Sequence, residues 1–552
     1  MSLVRNSNVA VIGGGISGLS FVYFLSKLRP DLNFTIFERS SRFGGYINTE
    51  LHNFNGEKIK LEKGPRTLRG ASDGTTIMID TLIKMGHKDV INVIPSNSIA
   101  NKKYLLSPEN ELIQVPNSLP STYNFLRSSL GKGLLPGFLT EIFKPQKLNK
   151  KDESVESFLT RRFGKSLPNN IMSAVFNGIY AADISKLSAK TTLKSMYESE
   201  LQHGSIVKSM LLKSLKFQNK NDDSKKIEIS NVLKDYETAF PNSNYKISDL
   251  KSLLTKFPMI VLSKGLETFP SLIKENLSKN SKIKFIHNDP IISLTKNQNK
   301  LITLTTSSGH STEFHHVRST VNASTFAEFL QNGKLMTTGK EDSPTALIAQ
   351  ELKFINIFLV NLYINSNVLK NHGFGYLIPK SNKNNERVLG VIFDSDIEKS
   401  SSKLFTEDTF KALTSTNETS EKPKFPEIEP HYDSESQYTK LTIMMGGHYW
   451  TNHKIPSRET SIRAAKDALE NQLGLDFTKL SQDTDFYIDS LLIPNCLPQF
   501  HTGYDELKFK FLESVKNEFG ERLSIGGMSF GDGAGVPDCV QNAMKSALKL
   551  SK

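Results

Sequence analysis

Gly13-Gly14-Gly15-Ile16-Ser17-Gly18 sets glycines at the G-x-G-x-x-G spacing, directly behind an apolar run from Asn8 to Ile12 and directly before an amphipathic stretch through Leu19, Phe24 and Leu28. Gly13 suits a tight turn, Gly15 lets the backbone approach a pyrophosphate, and Gly18 lets a helix lie close on a strand. The first turn of such a helix offers amides and a positive dipole end to phosphates. Glu38 closes a second apolar run, Phe34 to Phe37, where a carboxylate can accept both hydroxyls of a ribose. Together these residues predict a dinucleotide site. Arg39 and then Arg42-Phe43-Gly44-Gly45-Tyr46 follow as a second cationic, glycine-rich loop, able to close over the pyrophosphate from the other side.

To present that turn, residues 8 to 38 must form a strand, a helix and a second strand. The far end of the chain repeats the pattern: Leu523 to Met528 reads as a strand, Phe530 to Val536 as a glycine-rich turn, and a helix starts near Pro537. Lys282–Ile286, Lys300–Thr305 and His315–Ala323 read as a hairpin and a returning strand. From 117 to 217 the pattern is mostly helical, broken by Gly131, Gly133, Pro136 and Gly137. Its apolar residues Phe125, Leu130, Leu134, Leu135, Phe138, Leu139, Ile142 and Phe143 travel with Arg127, Lys132, Lys144 and Lys147. Two readings stay open there: a patch lying in a bilayer interface, or a buried helical subdomain with a basic rim. Residues 216–252 and 400–438 are polar enough to be surface insertions.

The whole chain of 552 residues is too long for one small binding module, and 38% hydrophobic with 23% charged residues suits a packed core. A formal charge of +12 is spread along the chain with no nucleic-acid-binding signature, so no nucleic acid partner is expected. Cys496 and Cys539 are too few for a disulfide framework or a zinc site, and no metal is expected; they favour an intracellular compartment. The first strand begins so early that no cleavable presequence is evident. The most apolar run, Phe354 to Ile364, is shorter than a membrane span.

Beyond the glycine turns, the order of motifs resembles the flavoprotein superfamily of amine oxidases, phytoene desaturases and protoporphyrinogen oxidases. The stretches Lys63-Gly-Pro-Arg-Thr67, Phe176-Asn-Gly-Ile-Tyr180, Lys264-Gly-Leu-Glu267 and His372 to Pro379 are similar to the protoporphyrinogen oxidase branch, in its fungal mitochondrial form. So are Val388 to Ser395, Thr442 to Gly447, Asn495 to Phe500 and Asp538 to Val540. The resemblance covers nearly the whole chain apart from the two insertions.

That resemblance implies an α/β fold with α+β insertions: a Rossmann-like FAD-binding domain of the amine-oxidase type, a mixed-sheet substrate domain and a helical membrane-associating subdomain. The expected boundaries are 1–90, 255–330 and 490–552 for the first, 91–116 and 331–489 for the second, and 117–254 for the third. One non-covalent FAD per chain is implied, held by Gly13 to Gly18, Glu38, Arg39, Arg42, Gly44, Gly45, Tyr46, Gly64, Pro65, Arg66, Thr67, Ile291, Met528, Ala534, Gly535 and Val536. The implied reaction is oxidation of protoporphyrinogen IX to protoporphyrin IX in three two-electron steps, with dioxygen giving hydrogen peroxide, in haem synthesis. Phe374, Leu377, Ile392 and Met444 are implied to line the macrocycle, and Lys103 to hold a propionate where the family usually has Arg. The carbonyl of Gly178 is the implied catalytic acceptor; Gly178 serves equally as a packing glycine. Monotopic attachment to the mitochondrial inner membrane, a homodimer and hand-off to ferrochelatase complete the expectation. Two other readings keep the fold: an oxidase acting on an amine or carotenoid precursor, and a non-enzymatic binding protein like the GDP-dissociation inhibitors.

Overall fold

The computed structural model describes residues 3–147, 151–218, 229–242, 244–338, 343–415, 423–451, 453–531 and 533–552. Parts of both polar insertions (219–228, 243 and 416–422) and Asp532 of the C-terminal glycine turn lie outside the described residues.

One layer is a parallel five-stranded sheet in the order Leu523–Ile525, His316–Ser319, Asn8–Ile12, Asn33–Glu38, Ile283–His287. Asn8–Ile12 is apolar on both faces because both are covered. Val9 and Val11 join one core with the helices Ile16–Leu28, Asp73–Lys84 and Val536–Ser551, and Ala10 and Ile12 join another with Leu294, Leu304 and Phe326. The expected hairpin is differently composed: Ile291–Lys296, Ile302–Thr306 and Ser311–Phe314 form an antiparallel sheet, while Ile283–His287 joins the parallel one. Asp289-Pro290 separates the two, and the alternating residues after it, not before it, pair with 302–306.

The second layer is a mixed seven-stranded sheet in the order Phe486–Pro498, Phe354–Ile364, Thr439–Gly446, Val388–Phe393, Gly375–Leu377, Lys103–Leu106, Leu112–Gln114. Its outer face, with Tyr104, Val360, Tyr376, Val391 and Ile443, packs on Ala465, Ala468 and Leu469 of the helix Arg458–Leu473. The inner face turns toward the first layer. Two expected boundaries shift: Phe486–Pro498 runs through 490 because its pairing with Phe354–Ile364 continues to Pro498, and the helix Ala323–Thr338 runs through 330.

Between 119 and 218 the chain forms a helical lobe whose buried Phe125, Leu130, Leu134, Phe158, Leu159 and Phe163 continue the core that holds Ala10 and Ile12. Leu119, Tyr123, Leu135, Phe138, Leu139, Ile142 and Phe143 lie on its outside and are exposed. Arg162, fully buried, pairs with the buried Glu141 and donates to the carbonyls of Lys144 and Gly204 at 3.1 Å, so the helix Leu134–Glu141 is held by charge as well as by packing. Part of the expected polar insertion belongs instead to the dinucleotide side. The helices Asn231–Ala239 and Ile247–Thr255 bury Leu233, Tyr236, Leu250 and Leu254 against Asp73–Lys84, where buried Asp80 accepts the hydroxyls of Tyr236 (2.5 Å) and Tyr245 (2.6 Å). In the second insertion Leu404 and Leu413 are buried in the same core.

Candidate flavin and substrate site

The turn after Ile12 is built as its glycines demand. Gly13 has φ +104°, a conformation that L side chains rarely adopt. A Cβ on Gly14 would lie 2.4 Å from the Phe43 ring, and one on Gly18 would lie 2.1 Å from the Gly13 carbonyl. Gly15 differs: its Cβ would meet nothing nearer than Gly45 Cα at 3.6 Å, so internal packing does not require glycine there. Gly15 precedes the helix Ile16–Leu28, whose first turn carries no side-chain cap. Uncapped amides at the start of this helix, through Ile16 and Ser17, fit a pyrophosphate. Glu38 accepts the Gly14 amide (2.8 Å) and both the amide (3.0 Å) and the hydroxyl (2.8 Å) of Ser40, which fixes its carboxylate at the end of the strand.

The second glycine loop touches the first: the Gly44 amide donates to Gly14 at 2.9 Å, and Gly15 and Gly44 form an isolated bridge. Arg42, expected over the pyrophosphate, is turned into its own loop. Gly44 and Gly45 have positive φ, and the guanidinium satisfies the carbonyls of Gly45 and Ile47 (3.0 Å) and lies 3.7 Å from Glu267. Arg39 is exposed. Ile291 is buried in the hairpin core, where it pairs with Thr306.

Gly64, Pro65, Arg66 and Thr67 form the next wall. A Cβ on Gly64 would lie 2.0 Å from the Tyr46 carbonyl, so this turn and the second glycine loop are in contact. Arg66 is buried and pairs with Asp394; Asp394 also accepts Thr442 Oγ1 at 2.7 Å. Thr442 in turn accepts from Asn361 at 2.9 Å, and Asn361 donates to the Glu62 carbonyl at 3.2 Å. A chain of buried polar contacts therefore bolts the turn to the inner face of the second sheet. Met528, Ala534 and Val536 are half-buried, and Gly535 is exposed where its amide donates to Asp538 Oδ2 at 3.1 Å.

Across the inner face, register partners stand in rows and point the same way. One row runs Lys103, Gly375, Ile392, Thr442, Asn361 and the next runs Leu105, Leu377, Gly390, Met444, Leu359. Four of the expected substrate residues, Lys103, Leu377, Ile392 and Met444, thus share one face, and Phe374 packs in the same small cluster as Ile392. Lys103 is exposed at the edge of its row. Gly178 closes the second row: it is exposed, in the last turn of the helix Ser173–Tyr180, and a Cβ there would lie 2.8 Å from Leu377. Burial, with the charge of Asp538 behind it, raises the phenol of Tyr180.

Tyr46 and Met444 meet Ala181, Leu389, Cys496 and Tyr449 in an apolar cluster. Burial pushes both the Tyr46 hydroxyl and the Cys496 thiol up to about 12, so neither is a base at neutral pH. The sequence reading assigned no role to Asp394, Thr442, Gly390 or Tyr449. Asp394, Gly390 and Thr442 lie inside the motif stretches, but their roles depend on pairing across the sheet, which no local spacing reveals.

Residues 16–488 match the family model described as flavin containing amine oxidoreductase. The protoporphyrinogen oxidase of Saccharomyces cerevisiae is 39% identical over 100% of this chain and 99% of its own length. Among solved structures, a protein from Exiguobacterium sp. 255-15 superposes with a TM-score of 0.66 at 16% identity, covering 100% of this chain and 99% of its own. Reduced UDP-galactopyranose mutase superposes with a TM-score of 0.60 at 12% identity, covering 99% of this chain and 93% of that one, so the fold by itself does not select a reaction. On a sequence match that runs the length of both chains, this protein belongs to the flavin containing amine oxidoreductases and, within them, to the protoporphyrinogen oxidases.

Proposed function

We propose that the protein oxidises protoporphyrinogen IX to protoporphyrin IX, removing three hydrides and three protons from the macrocycle while three dioxygen molecules become three hydrogen peroxide. FAD, one per chain and non-covalently held, supplies the two-electron acceptance when bound. The observation that carries the reading is full-length identity of 39% to a protoporphyrinogen oxidase, joined to Leu377, Ile392 and Met444 on one face of the mixed sheet.

The chain's own residues hold, orient and exclude water. Gly13 to Gly18 and Glu38 fit the pyrophosphate and ribose, and the turn at Gly64 to Thr67 is fixed to the slot floor through Arg66. Leu377, Ile392, Met444 and Phe374 offer apolar surface to the rings, while Lys103 offers a cation at one end. Gly178 lies in a helix's last turn, where carbonyls lack the amide four residues on, so its oxygen can accept a hydrogen bond from the substrate while the proton passes on to solvent. With Tyr46 and Cys496 held protonated, a backbone acceptor suits the site better than a side-chain base.

The exposed apolar residues of the helical lobe, with Arg127, Lys132, Lys144 and Lys147 nearby, support monotopic attachment to the mitochondrial inner membrane. Among the described residues no helix is long and apolar enough to cross a membrane. A homodimer and direct transfer of product to ferrochelatase extend the same reading. Purified protein given protoporphyrinogen IX is expected to show flavin bands, oxygen-dependent porphyrin fluorescence and matching peroxide. Flavin without porphyrin would favour an amine or carotenoid-precursor oxidase, and protein without flavin a binding protein.

A further inference from the structure

The parallel sheet holds a charge that its own surroundings do not balance. Arg318, the third residue of His316–Ser319, stands level with Val11 on one side and Ser524 on the other. It is 5% exposed. Its Nη2 donates to Ser546 Oγ at 3.0 Å and its guanidinium carbon lies 5.3 Å from the centre of the Phe21 ring, so it points between the helices Ile16–Leu28 and Val536–Ser551. Its Nε has no hydrogen-bond partner, and among the described residues no carboxylate pairs with it. Burial alone pushes its pKa down to about 10. The other buried arginines differ: Arg66 has Asp394 and Arg162 has Glu141. A buried cation without a counter-charge opposes folding, and an anion brought near it offsets that cost.

The neighbours of the guanidinium lead to both glycine turns. A Cβ on Gly526 would lie 2.5 Å from Arg318 Nη2, so the chain entering the C-terminal turn rests on the cation. The Gly526 amide donates to the Ser319 carbonyl at 2.7 Å, and a Cβ on Gly527 would lie 2.9 Å from the Thr320 carbonyl. Thr320 Oγ1 in turn donates to the Gly13 carbonyl at 3.2 Å. The guanidinium therefore lies behind the junction of the first glycine turn with the C-terminal one. A second buried donor without a partner, Asn542 Nδ2, backs the same segment, since a Cβ on Gly531 would lie 1.8 Å from it.

We propose that Arg318 is a buried counter-charge for the diphosphate of the dinucleotide, acting through the interior of the sheet and not by contact. It favours the approach of that dianion to the start of Ile16–Leu28, and by linkage the bound dinucleotide offsets the burial of the guanidinium. The assignment rests on the FAD proposed above. It is tested on flavin-free full-length protein, native and with Arg318→Met or Arg318→Gln, by measuring Tm without ligand and Kd for FAD and for ADP, which carries the diphosphate without the flavin. The expected result is a flavin-free Tm at or above the native value, with Kd for both ligands raised about tenfold in both variants. A residue that served packing alone would lower the Tm first. Variants that melt well below the native protein or fail to fold would assign the cation to the fold and overturn the proposal. An unchanged Kd for FAD would overturn it too, as would weaker FAD with unchanged ADP, which would put the field on the flavin ring. Native protein that takes up neither FAD nor ADP would instead remove the dinucleotide reading beneath it, and the assignment with it.

Discussion

At the scale of single residues, the two glycines at Gly15 and Gly18 are alike in sequence and unlike in physical cause. Gly18→Ala drives a methyl group into the Gly13 carbonyl and is expected to destabilise the fold by about 2 kcal/mol or more, visible as a lower Tm with or without flavin. Gly15→Ala has room for its methyl against the protein but fills the space over the helix start, so it should keep the flavin-free Tm and lose flavin affinity at least tenfold in a titration. Asp394 makes a different case. Removing it in Asp394→Ala leaves the guanidinium of Arg66 buried and uncompensated, an expected cost of about 3–5 kcal/mol in denaturant unfolding, larger than for a surface pair. The glycine turn and Glu38 were legible because the chemistry is local. Arg66 with Asp394 was not, since 328 positions separate partners that only the sheet brings together.

At the scale of elements, the strand His316–Ser319 carries a pH dependence of its own. His316 is buried, its Nδ1 against the Glu521 carbonyl at 2.9 Å and its Nε2 against the Ser524 hydroxyl at 2.9 Å, so a neutral ring donating from Nδ1 satisfies both. Burial, helped by nearby Arg318, pushes its pKa down to about 4 from the usual 6.5. Between those values the unfolded chain binds the proton and the folded chain does not, so stability is lost as pH falls through that window and is retained above it. The native protein should lose about 3 kcal/mol between pH 7 and 4 from this group, and His316→Gln should lose correspondingly less over the same range. A slope unchanged by the substitution would assign the acid sensitivity elsewhere. Elements with one clear period were readable, such as the first strand and helix. The helices at 231–239 and 247–255 were hidden because Leu233, Tyr236, Leu250 and Leu254 sit in a stretch whose average composition is polar, and average composition does not show a three-to-four residue spacing.

At the scale of the whole molecule, a parallel sheet and a mixed sheet are tied together through the turn at Arg66, and a helical lobe carries exposed apolar residues on its outer side. The short helices of the lobe have one side buried in the core and another whose apolar residues are exposed. Replacing Leu139 and Phe143 by Ser should reduce sedimentation with anionic liposomes several-fold while leaving turnover in detergent close to native; equal sedimentation would place the membrane contact elsewhere. The repeated strand, glycine turn and helix were legible at both ends of the chain, but not where the elements between them stop, since strand pairing past 490 and the helix across 330 are decided by distant partners.

The most direct test of the central claim is one sample of detergent-purified protein given protoporphyrinogen IX, with the visible flavin spectrum, porphyrin fluorescence and peroxide recorded together. Flavin bands, fluorescence that needs dioxygen, and three peroxides for each porphyrin formed are the predicted result. A flavin-loaded protein that leaves protoporphyrinogen IX no faster to oxidise than buffer alone would contradict it.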